Sequence, residues 1–176
     1  MFMKGFVKVA SAIPKVKVAD CRYNVVEINR LIQEAATSDV QIVVFPELSI
    51  TGYTCGDLFF QEALQEDALL GMLEIAEHTA HLDIISIVGL PIVIGQQLLN
   101  VAAVIQQGHI LGLIPKSYLP NYKEFYEQRW FVSAFDNLMS EYDIRGEHIP
   151  VGNDLLFSTP EVVFGIEICE DLWAPV

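Results

Sequence analysis

Basic residues are scarce: the 176-residue sequence has 10 Lys and Arg against 23 Asp and Glu, a formal net charge of −13. Without a basic stripe nothing displaces phosphate counterions, so a nucleic-acid partner is not expected. An anionic membrane surface is disfavoured for the same reason. Cysteine is scarce too. The three present, Cys21, Cys55 and Cys169, are an odd number without metal-ligand spacing, which excludes a disulfide framework and makes a reducing cytoplasm the expected location. Long apolar runs are also missing. The longest, Ile84 to Gly95, is too short to span a bilayer and contains Gly89 and Pro91. Lys4 and Lys8 break the N-terminal apolar stretch, which spoils a signal-peptide core. No repeat, linker or low-complexity tract is visible. What remains is a soluble, 52% apolar chain of a length suited to one domain burying roughly 70% of its unfolded surface.

The apolar residues are arranged as strands and two helices. Residues 6–13 alternate weakly as a first strand closed by Pro14. Asn24 and Glu27 have the spacing of a helix-capping pair, with Val25, Ile28, Leu31, Ile32 and Ala35 on one face behind them. Gln41–Phe45 is a continuous apolar strand ending at Pro46-Glu47. A second helix is expected from about Gln61 to Ala80, its apolar face formed by Leu69, Met72, Leu73, Ala76 and Ala80. Ile84–Leu90 is another buried strand, and Val101–Gln106 with His109–Ile114 forms a hairpin turning at Gln107-Gly108. Residues 133–154 are polar and loop-like. Leu155–Phe157 and Val162–Ile168 make a last hairpin leading into Cys169. Buried strands flanked by helices define an α/β layered domain.

Three of these strands end in a reactive residue: Glu47, Lys116 and Cys169. Ligands gather at strand ends in α/β sheets. A cysteine at a strand-to-helix junction has backbone amides ahead of it and, beside a cation, a lowered thiol pKa. Packing as a small hydrophobe is the alternative for such a residue. Thiols and carboxylic acids differ by about 4 units in reference pKa, roughly 6 kcal/mol in water, so a carboxylate base needs help from its surroundings. If the three residues meet, Glu47 suits a general base and then acid, and Lys116 an electrostatic stabiliser. That chemistry is acyl transfer from an amide through a thioester. His78 and His81 lie one helical turn apart, but no third ligand is near, so no metal site is expected.

FPELSITGY, PKSYLP and GIEICEDLW, in this order, resemble the three catalytic blocks of the nitrilase, or carbon–nitrogen hydrolase, superfamily. The Glu-Asp and Trp after the cysteine, with LPNYKEFYEQRWF, resemble the glutamine-hydrolysing domains of its glutamine-dependent NAD synthetase branch. The resemblance covers almost the whole chain. It implies a nitrilase-like αββα sandwich, with residues 1–176 as its N-terminal part. It implies a Glu47–Lys116–Cys169 triad, with Glu127 orienting the lysine and an oxyanion site from Lys116 and the backbone N–H of Glu170. Tyr122, Tyr53, Phe125 and Trp173 would lie near the glutamine pocket, Tyr122 as the direct contact. Core packing is the alternative for these aromatics. The glutaminase step would need no cofactor, and ATP and Mg would serve a synthetase domain or subunit outside this chain.

In the family the domain continues well past the nucleophile, whereas this sequence stops seven residues after Cys169. That difference predicts a domain incomplete at its C-terminus, weak or absent turnover by these residues alone, and unpaired apolar strand faces that favour a homo-oligomer. Three other functions are compatible with parts of the pattern: an amidase for another small amide, a catalytically silent assembly module, and a Cys–His hydrolase using His109 or His148.

Overall fold

The computed structural model describes residues 5–137 and 139–174. Five strands form one sheet in sequence order: β1 Val9–Ser11, β2 Ile42–Val44, β3 Ile85–Ile94, β4 Gln97–Gln106 and β5 His109–Pro115. β1, β2 and β3 pair parallel, and the crossovers that parallel pairing requires are made by α1 (Cys21–Thr37) and α2 (Glu62–Thr79). β3, β4 and β5 pair antiparallel through tight hairpins. The fold class read from the sequence is the one observed.

Alternation along the strands sends side chains to two apolar layers. Val43, Val88, Leu90, Val101 and Ala103 face the helices and pack with Val25, Ile28 and Ile32 of α1 and Ala68, Met72 and Ile75 of α2. Ile42, Ile85, Ile87, Ala102, Val104 and Ile114 face the other way, toward Phe157 and Ile168. Apolar residues on both faces explain why the strands read as continuous hydrophobic runs.

Several boundaries differ from expectation. α1 begins at Cys21, because Asp20 supplies the cap by accepting from the Tyr23 N–H at 3.1 Å. Asn24 lies inside that helix, fully buried, where it bonds Lys17 N–H and the carbonyls of Lys17 and Ile50. β3 runs on through Pro91 to Ile94. β2 pairs it only as far as Ile87, so beyond that point β3 has an open side where proline withholds no ladder bond. The polar stretch 133–154 contains a hairpin, β6 Glu141–Ile144 and β7 Glu147–Pro150, with Ile144 and Ile149 buried. Its turn, Arg145-Gly146, has φ of 54° and 86°, the left-handed pair that two-residue hairpins favour. The last hairpin is shorter than expected: β8 is Phe157–Ser158 and β9 is Val163–Phe164. From Gly165 to Ile168 the chain has no strand ladder, so Cys169 follows a short connecting segment and not a strand of the main sheet.

Candidate active site

Lys116 continues the line of β5, its N–H donating to the Asn100 carbonyl of β4 at 2.8 Å. Its side chain is fully buried. An ammonium there is too costly without carboxylate partners, and it has two. Nζ donates to Glu47 Oε1 at 2.7 Å and to Glu127 Oε1 at 2.8 Å. Glu127 Oε2 lies 2.8 Å from the same nitrogen and interacts by charge alone. Burial works against the lysine's charge, but Glu47 and Glu127 outweigh it and hold the ammonium above its ordinary pKa. Burial likewise pushes the Glu127 carboxyl up, opposed by its bonds from Lys116 and Tyr53. Glu127 is the first residue of the short helix α3 (Glu127–Trp130). Tyr53 donates its hydroxyl to Glu127 Oε1 at 2.6 Å, so the structure gives it a positioning contact within the network.

Glu47 is placed by a close backbone approach. It sits just past β2 in a turn that crosses β3 at Gly89, where a Cβ would stand 2.4 Å from the Leu48 nitrogen and 2.9 Å from the Pro46 oxygen. Only glycine leaves room for that turn. Asn100 Nδ2 donates to Glu47 Oε1 at 2.6 Å, and Asn100 is buried with its own Oδ1 unbonded.

Cys169 opens a 3-10 turn, Cys169–Leu172, with φ at 51°. Its thiol is exposed, while Cys21 and Cys55 are buried. Cys169 and Glu47 line one cavity of about 230 Å³ together with Gly89, Asn100 and Ile166. The first hydrogen bond of the turn runs from the Asp171 N–H to the Ile168 carbonyl at 3.1 Å, so the Cys169 and Glu170 amides have no acceptor within it. The expected lowering of the thiol pKa is not found. Partial burial raises it; Lys116 lowers it, and Glu47, Glu127 and Glu170 raise it further. One ammonium is shared among several carboxylates, so its effect on the sulfur is outweighed.

The expected pocket aromatics separate into two groups. Tyr122 donates to Glu170 Oε2 at 3.1 Å and stands edge-on to Phe125, which also meets Tyr53 edge-on. Tyr122 and Glu170 line a second, larger cavity of about 810 Å³ beside the nucleophile turn, with Ser117, Tyr118, Gln128 and Asp136. Trp173 is not brought to the site; it is 74% exposed and lines neither cavity, because the turn points it outward. His109 and His148 lie in β5 and β7, and neither lines the cavity that holds Cys169. Among the described residues no group of three or more His, Cys, Asp or Glu could hold a metal ion, and no helix is long and apolar enough to cross a membrane. Two residues of the site were missed. Asn100 is a lone polar residue inside an apolar strand, a signal that was available. Asp171 accepts backbone N–H bonds from Ser117, Tyr118 and Ile168, and only the fold brings those amides together.

Comparison with known proteins gives the family. The family model "Carbon-nitrogen hydrolase" matches residues 8–176. A glutamine-dependent NAD(+) synthetase of Mycobacterium leprae is 34% identical over 178 residues, covering 99% of this chain and 26% of that protein. The chain thus spans about a quarter of the length of the curated relatives it matches. A crystal structure of a glutamine-dependent NAD(+) synthetase from Cytophaga hutchinsonii superposes with a TM-score of 0.87 at 32% identity, over 94% of this chain and 28% of that one. An amidase from Nesterenkonia sp. shares the fold, with a TM-score of 0.74 at 16% identity over 97% of this chain and 58% of its own. The family match over residues 8–176, nearly the whole chain, means that this chain belongs to the carbon–nitrogen hydrolase family.

Proposed function

We propose that this chain hydrolyses the side-chain amide of glutamine through a thioester on Cys169, and that the ammonia serves NAD synthesis by a synthetase part lying outside these residues. The observation that carries the reading is Lys116, buried between Glu47 and Glu127 at 2.7 and 2.8 Å, beside a cavity that Glu47 shares with the one exposed thiol among the described residues. Relatives named as glutamine-dependent NAD(+) synthetases support the choice of amide.

The raised thiol pKa means that the resting sulfur is protonated, so deprotonation accompanies attack. Glu47 takes the Sγ proton as the sulfur bonds to the amide carbon. Charge that develops on the carbonyl oxygen is met by Lys116 and the Glu170 N–H. Glu47 returns the proton to the amide nitrogen, the C–N bond breaks, and ammonia leaves with a γ-glutamyl thioester on Cys169. Water then attacks the thioester while Glu47 accepts its proton; the C–S bond breaks as Glu47 returns that proton to Sγ, and glutamate leaves with the thiol and carboxylate restored. Glu127 and Tyr53 hold the lysine. Tyr122, with Glu170 beside it, is the direct substrate contact, and Phe125 packs behind it. No step uses a metal; ATP and Mg belong to the synthetase reaction and are assigned no residue here. The cytoplasm is the compartment that suits three free thiols.

The test is intact-protein mass after exposure to an electrophilic glutamine analogue, on the protein at its natural length, with Cys169→Ala as control. One adduct, absent in the variant and blocked by free glutamine, is expected. No adduct, or equal labelling of Cys21 and Cys55, overturns the reading.

A further inference from the structure

We propose that Asp171 is a positioning residue: its carboxylate ties the turn carrying Cys169 to the chain carrying Lys116, and so sets the distance from thiol to ammonium. Oδ1 accepts the N–H of Tyr118 at 2.8 Å and of Ser117 at 3.1 Å. Oδ2 accepts the N–H of Ile168 and of Ser117, both at 3.3 Å. Ser117 directly follows Lys116, and Ile168 directly precedes Cys169. One side chain therefore grips the peptide next to each reacting group.

Two features indicate a built clamp. First, Asp171 is 7% exposed, yet among the described residues it has no ion pair with a lysine, arginine or histidine. Its bonds are to backbone N–H groups, three of which suffice to solvate a buried carboxylate. Second, Cys169 has a left-handed φ of 51°, a conformation that a residue with a Cβ keeps only where its neighbours enforce it. Asp171 enforces it from both ends of the turn: its carboxylate takes the Ile168 N–H, and its own N–H donates to the Ile168 carbonyl at 3.1 Å. The lysine side is anchored independently. The Lys116 carbonyl accepts from Ala134 N–H at 2.9 Å, the Ser117 carbonyl from Ser133 Oγ at 2.5 Å, and Ser117 Oγ from Asn153 at 3.0 Å. Asp171 connects this fixed anchor to the turn that must be held.

Asp171→Asn tests the inference, in the protein at its natural length. The amide group puts a donor where one oxygen now accepts, so part of the clamp must open. Partial burial and the Glu47 and Glu127 charges hold the thiol pKa up and outweigh Lys116, so a turn released from that corner should bring it down. The expected result is that the pH midpoint for alkylation of Cys169 by iodoacetamide moves down by about half a unit or more. Glutamine turnover should lose about 100-fold in kcat, as for a misplacement of about an ångström, with KM little changed. Losing the Asp171 charge acts in the same direction, so Asp171→Glu, with the charge kept and the reach altered, decides: its midpoint should also move down. A midpoint that stays or moves up in Asp171→Glu overturns the inference.

Should the asparagine variant not fold, hydrogen exchange in the native protein decides. Amides of Ser117, Tyr118 and Ile168 belong to no strand ladder, and the clamp requires them to exchange at least about 100-fold slower than an unstructured chain. Exchange at the unstructured rate overturns it. The role of the separation in turnover rests on the amide-hydrolase reading, but alkylation needs no substrate. A shifted midpoint in a protein that leaves glutamine intact would uphold the clamp and sink only the substrate.

Discussion

Lys116 and Glu47 are where a single side chain decides most. Removing the ammonium, as in Lys116→Met, would leave Glu127 buried and Glu47 half-buried opposite no cation. Losing one partner of a buried pair costs about 3–5 kcal/mol, so the urea midpoint of the variant should fall accordingly. Alkylation of Cys169 should also slow at a given pH, because the one group that lowers its thiol pKa is gone. Glu47→Gln separates chemistry from reactivity. Hydrolysis of glutamine should drop by about 10²–10⁴-fold with the general base removed. Yet iodoacetamide labelling near pH 8 should hold or rise, because the Glu47 charge keeps the thiol pKa up. In the native protein labelling should climb with pH past the ordinary thiol range, since a raised pKa leaves less thiolate at neutrality. A labelling midpoint below that of a free thiol would contradict the site's charge balance. Glu47 and Lys116 could be read from the sequence because each follows a proline that closes an apolar run, at Pro46 and Pro115. The thiol pKa could not, because it depends on how several carboxylates share one ammonium.

At the scale of elements, the turn after β2 and the middle of β3 behave as one unit. Gly89 has no side chain to separate them, and its carbonyl accepts the Ile50 N–H at 3.1 Å. Gly89→Ala would push a methyl into the backbone of Leu48, where nothing flexible can give way. Overpacking of this kind costs about 1–3 kcal/mol. The turn that holds Glu47 should move with it, so kcat should fall more than the thermal midpoint alone would suggest. Calorimetry and turnover on one preparation would check both. The hairpin at Gln107-Gly108 was legible because long apolar strands flank a glycine turn. Arg145-Gly146 has the same turn chemistry. Its strands carry little sequence signal, because β6 and β7 are four residues each and turn mostly polar side chains outward. The start of α1 is obscured for a different reason. Asn24 suits a cap, but the fold uses it to bond residues 17 and 50, and Asp20 caps instead.

The 176 residues together carry a net charge of −13, and like charges repel within a compact chain. Screening should relieve this, since the Debye length falls from about 30 Å at 0.01 M salt to about 8 Å at 0.15 M. The thermal midpoint is therefore expected to rise with sodium chloride over that range, and a midpoint that falls would contradict the charge argument. The sheet face away from the helices leaves Val9 and Val44 exposed at 65% and 40%, with Leu156 and Val163 at 73% and 61%. We propose that these surfaces favour self-association, which sedimentation of residues 1–176 alone above their 19.7 kDa monomer mass would reveal.

The sequence by itself determined the α/β class, both helices and the buried sheet, and it singled out Glu47, Lys116 and Cys169 as candidates. Those depend on local patterns: apolar runs, their punctuation by proline and glycine, and short motifs. Tertiary structure alone decided that Tyr53 reaches Glu127, that Asn100 reaches Glu47, that Asp171 spans to Ser117, and that Trp173 points away. The partners of these residues lie far along the chain, 74 positions for Tyr53 and Glu127 and 54 for Ser117 and Asp171. Hydrogen bonds over such separations follow from how the strands stack, and no local spacing encodes them.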